Sequence, residues 1–81
     1  RFNPEVENQI YNKIFFDDYK LHKSNDGFIM LTTNQIITHR LAAWCISWWD
    51  MLKVIEPVEL KEHIKRMINS FCLVNFGDAE Y

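Results

Sequence analysis

Apolar residues along this chain change period several times, and each change marks an expected element. Val6, Ile10, Tyr11, Ile14 and Phe15 recur at intervals that place side chains on one face of an α-helix. Ahead of them, Asn3 suits a cap, Pro4 the first helical position, and Glu5 and Glu7 the positive end of the dipole. Asp17 and Asp18 would meet the negative end, so this helix is expected to stop near Phe16. Tyr19 and Leu21 then alternate with polar neighbours, SNDG is turn chemistry, and Phe28 to Thr33 is a short β-prone run. The expected structure is a hairpin with Gly27 in the positive-φ position.

Helical spacing returns in Ile37, Leu41, Trp44, Cys45 and Trp48, with Asn34 placed to cap this second helix and an end near Asp50. Met51 to Glu56 contains a brief β-like run. Pro57 opens a third helix, with Glu59 in its first turn, a stripe of Leu60, Ile64, Met67, Ile68 and Phe71, and a Glu62–Arg66 pair one turn apart. Residues 73–81, LVNFGDAEY, read as a frayed tail, although Val74 and Phe76 could pack back from it onto the domain, and the domain is drawn over residues 1–76 with 77–81 as a tail.

The order is helix, strand, strand, helix, strand, helix. With Arg1 and Phe2 as the stump of a further strand it becomes β-α-β-β-α-β plus a C-terminal helix. That is an α+β, ferredoxin-like split βαβ sandwich whose first strand is largely missing. A chain that starts on the last residues of a strand is expected to be cut from a longer one.

Composition narrows the class. Eighty-one residues make one small domain, and 48% hydrophobic with 15% aromatic content argues for a packed core rather than disorder. A net charge of −2 provides no general attraction to nucleic acid or acidic lipid. Cys45 and Cys72 lie far apart within apolar runs, which reads as small buried thiols in a reducing compartment. No stretch has the length of an apolar membrane span and no signal-peptide pattern opens the chain, so a cytoplasmic protein is expected.

Little in the sequence points to catalysis. His22, His39 and His63 share no metal-ligand spacing, Asp17-Asp18 is the composition of a solvated turn, and two glycines build no phosphate loop. No catalytic, cofactor-binding or metal-binding residue is assigned. Lys61, Lys65 and Arg66 form a modest basic face interleaved with Glu59 and Glu62, sparser than a nucleic-acid-reading helix carries. The chemistry that stands out is WCISWW, residues 44–49. Trp44 and Trp48 nearly overlie on a helix and read as core with Leu41 and Cys45, whereas Trp49 falls off that stripe, either as a lid on the core edge or as an exposed anchor.

RFNPEV, the hairpin over its DG turn, and WCISWWDMLKVIEPVELKEHIKRM together resemble the C-terminal extension of bacterial WYL-domain transcriptional regulators. In that family the second helix ends in a Trp-hydrophobic-Leu-Ser-aromatic-Gly phrase, matched here by Trp44, Ile46, Ser47 and Trp48. A Leu-Glu-Pro-x-x-Leu-(Arg/Lys)-Glu segment follows, matched by Ile55, Glu56, Pro57, Leu60, Lys61 and Glu62 after Val54. The resemblance spans nearly the whole chain. Its departure is Trp49, which stands where the family has glycine.

What the resemblance implies is architecture: a winged helix-turn-helix and a WYL barrel in the same polypeptide, outside these residues, with this extension joining dimer contacts and conveying effector state. The expected partners are those domains and a second copy, with DNA met only through the missing domain, and neither cofactor nor membrane. Arg40, Trp48 and Trp49 are the candidate interface or effector-facing residues. A stand-alone ferredoxin-like domain that binds a small ligand is the alternative, and nucleic-acid contact through Lys61, Lys65 and Arg66 the third reading.

Overall fold

A computed structural model describes residues 1–77. The start follows the sequence: Asn3 Oδ1 accepts a hydrogen bond from the Glu5 N–H at 2.9 Å, and a 3-10 turn over Pro4–Val6 leads into helix α1, Glu7–Lys13. α1 ends about a turn earlier than Phe16, because Ile14 is extended (φ −71°, ψ 125°). This departure takes Phe15 and Phe16 to the ring of Trp44, at 6.1 and 5.5 Å between centroids. Packing two aromatic rings edge-on against Trp44 outweighs one more helical turn with little to pack against.

Strands β1 (Tyr19–Lys23) and β2 (Ile29–Thr33) form the expected antiparallel hairpin. Gly27 has φ +89°, and the turn is held by Ser24 N–H donating to Phe28 O at 2.8 Å and Phe28 N–H donating to Asp26 Oδ1 at 3.2 Å. Helix α2, His39–Ser47, starts later than Asn34. Thr38, extended at φ −125° and ψ 164°, is the cap; its Oγ1 accepts from the Leu41 N–H at 3.1 Å. Ile36 and Ile37, both β-branched, stay outside the helix.

A 3-10 turn, Trp49–Met51, closes α2. Helix α3 then runs unbroken from Val58 to Phe76, after a cis Glu56–Pro57 bond. Leu73–Phe76 are therefore helical, not a frayed end, since LVN carries no breaker before Gly77. Of the tail drawn over 77–81, only Gly77 lies within the described residues. Glu62 and Arg66 do not form an ion pair; the one ion pair among the described residues is Glu7–Lys23, at 3.0 Å.

The fold is α+β, a two-stranded antiparallel sheet with three α-helices. Single bridges extend the sheet: Phe2 pairs antiparallel with Ile29 on one side and with Leu52 on the other. Two buried clusters result. Phe2, Val6, Ile10, Ile29 and Trp48 fill the space under the sheet, and Leu41, Ala42, Cys45 and Leu60 join α2 to α3. Trp44 and Leu52 pack against both.

Candidate functional site

The three tryptophans have three different tasks. Trp44 ties the clusters together: its ring meets Phe2, Phe15, Phe16 and Trp48 edge-on, and its Nε1–H donates to Lys13 O at 2.8 Å. That bond satisfies a carbonyl at the C-terminal end of α1 which the helix itself leaves free. Trp48 is core, 5% exposed, with its ring 5.0 Å from that of Phe2. It leaves little surface for a partner, in contrast to the interface or effector-facing place expected for it. Its Nε1–H is buried without an acceptor among the described residues.

Trp49 is the opposite case. It is 80% exposed and sits at φ +58°, in the left-handed region that a side chain disfavours. The backbone there adopts what a glycine would adopt, and the indole is carried outward. Trp49 lines a shallow groove of about 260 Å³ with Ile46, Val54, Ile64 and Ile68. Beyond Ile68 the second half of α3 continues as exposed Phe71, Leu73, Val74 and Phe76. Only Leu60 of α3 is buried. The expected stripe is thus core at its start and open surface from Ile68 onward. Reading residues 73–76 as a tail concealed this surface; the signal was the uncharged run FCLVNF continuing the helix.

Arg40 stands apart. Its guanidinium lies over the Phe15 ring at 4.2 Å from the centroid, so it shields the edge of the aromatic cluster instead of joining Trp49. His39 and His63, distant in sequence, bring their rings to 5.8 Å across α2 and α3, while His22 is on β1. No group of three metal-ligating side chains occurs among the described residues. The cysteines divide: Cys45 is buried, and burial pushes its thiol up to about 11, but Cys72 is exposed on α3, contrary to the expectation of two buried thiols. Lys61, Lys65 and Arg66 are exposed on α3. Among the described residues no helix is long and apolar enough to cross a membrane.

A larger open cleft, about 690 Å³, lies between β2 and residues 53–56. Phe16, Leu41, Trp44 and Cys45 line it from the helix side. Nothing in the residue pattern marked it, because it is made by two segments far apart in sequence.

Compared with protein-family models, curated proteins and solved structures, the chain finds no significant match.

Proposed function

We propose that the chain is a regulatory, non-catalytic module of a bacterial WYL-type transcriptional regulator, contributing to dimerisation and passing effector state to a DNA-binding domain elsewhere in the polypeptide. The observation that carries this reading is the exposed apolar surface around Trp49 and the second half of α3. An indole held outward on a left-handed residue, beside a groove and a run of open Ile, Phe, Leu and Val, is what a protein contact uses. In the same reading the fold is ferredoxin-like, supported by Phe2 lying between β2 and Leu52 as a strand inserted between its neighbours. Effector binding elsewhere would favour one packing of this surface over another.

The test is the association of the whole regulator, with Trp49→Gly and Phe71→Glu, followed by sedimentation with and without effector. Both variants are expected to weaken dimerisation or effector coupling by about tenfold or more. Wild-type behaviour in both would remove the reading. So would a native gene product with a mass near the 9.8 kDa of this chain.

The second reading, a stand-alone small-ligand domain, is favoured by the open cleft beside Trp44. It requires quenching of tryptophan fluorescence by a metabolite-sized compound.

A further inference from the structure

We propose that the cleft between β2 and residues 53–56 is the seat of a β-strand continuous with the nitrogen of Arg1, three residues deep and apolar at its first and third positions upstream. The inference deepens the split arrangement proposed above but does not depend on the regulator assignment.

Hydrogen-bond direction carries the argument. In an antiparallel ladder, a residue turns its N–H and C=O to one neighbour, and the next residue turns them to the other. Ser24 N–H donates to Phe28 O, so Phe28, Met30 and Thr32 face β1. Ile29 exchanges two bonds with Phe2, at 2.8 and 3.1 Å, so Ile29, Leu31 and Thr33 face away from β1. Among the described residues only Ile29 is answered there. On the opposite wall, Lys53 N–H donates to Arg1 O at 2.8 Å and Lys53 O accepts from the Arg1 nitrogen at 2.8 Å. The same alternation turns Ile55 into the cleft, and its backbone groups have no hydrogen bond among the described residues.

These groups interlock with one incoming strand. Its first and third residues upstream of Arg1 would pair with Leu31 and Thr33, and its second with Ile55. Three residues of strand extend about 10 Å. Arg1 and Phe2 already form the last rungs, and the Arg1 nitrogen sits where a ladder amide would sit. Side chains follow the same alternation. Phe2 points into the core, fully buried, so the first and third upstream residues point inward and the second outward. The inward pair would lie between Leu31, which packs on the sheet-side cluster, and Val54, which packs on the α2–α3 cluster, joining two cores into one.

The experiment lengthens the 81-residue chain at Arg1 with Val-Thr-Val or with Gly-Ser-Gly and follows amide hydrogen exchange by NMR. Val-Thr-Val is expected to slow exchange at Leu31, Thr33 and Ile55 by about tenfold or more relative to Gly-Ser-Gly, beyond any change at Met30 and Thr32. Equal exchange in the two lengthened chains overturns the proposal. Protection of the same three amides in the unlengthened chain that grows with protein concentration also overturns it, by giving the seat to a second copy. Protection of them by a small molecule that survives the Val-Thr-Val extension would show the strand lies elsewhere.

Discussion

Trp49 and Trp48 are neighbours with opposite energetic roles. Trp49 holds φ +58° and hides little of its ring. Trp49→Gly is therefore expected to stabilise the isolated chain by about 1 kcal/mol, seen as a higher urea midpoint, while it weakens association. A residue kept at a cost to its own fold and useful only to a partner would show that pair of opposed effects. Trp48→Ala is expected to cost about 3–5 kcal/mol through the cavity it leaves beside Phe2. In a chain this size that is a large part of a total stability of about 4–12 kcal/mol. Trp48→Phe should cost clearly less, because it keeps most of the ring beside Phe2 and gives up only an N–H that has no acceptor among the described residues. Equal losses in the two variants would mean that filling the space beside Phe2 contributes little.

Cys45 gives the stability a pH dependence of known sign. Its thiol ionises near 11 in the fold and near 9.0 when freely solvated. Below about pH 9 both states keep the proton and the residue adds no slope. Between about 9 and 11 the unfolded chain releases the proton first, so stability falls as pH rises, and above that the loss levels off. Cys45→Ala should flatten that part of a urea-unfolding pH series. In the wild-type chain at neutral pH, Cys72 should react quickly with a thiol reagent and Cys45 only on unfolding.

At the level of elements, ends and caps decide what was legible. The hairpin was readable because Ser24, Asp26 and Gly27 make a turn by local chemistry alone. The start of α1 was readable for the same reason at Asn3 and Pro4. Helix ends were not, because they are set by distant partners. α1 stops where Phe15 and Phe16 must turn towards Trp44, a residue some thirty positions away, and α2 waits for Thr38 although Asn34 is an equally good cap by type. Thr38→Ala should cost about 1 kcal/mol in thermal or urea unfolding, and Asn34→Ala close to nothing. The reverse ranking would move the start of α2 back to Asn34. The candidate surface was half legible: Trp49 stands out by falling off its stripe, whereas Leu73–Phe76 were lost to a misplaced helix end.

On the scale of the whole molecule, the chain is 48 Å long but only 26 and 22 Å across, and α3 accounts for this shape. Its first turns lie on α2, with Leu60 buried and Ile64 and Met67 half-buried, and its last turns project into solvent. Those last turns, Phe71 to Phe76, contain no charged side chain. An isolated helix of that length is marginal in water, so its order in a complex would come from what it packs on. Burying such a face therefore has a calorimetric signature. The heat capacity should drop on association by more than a rigid, polar contact would produce, and the binding constant should hardly respond to added salt. What the free chain exposes at the end of α3 would thus be read out as heat, in how the enthalpy of assembly changes with temperature.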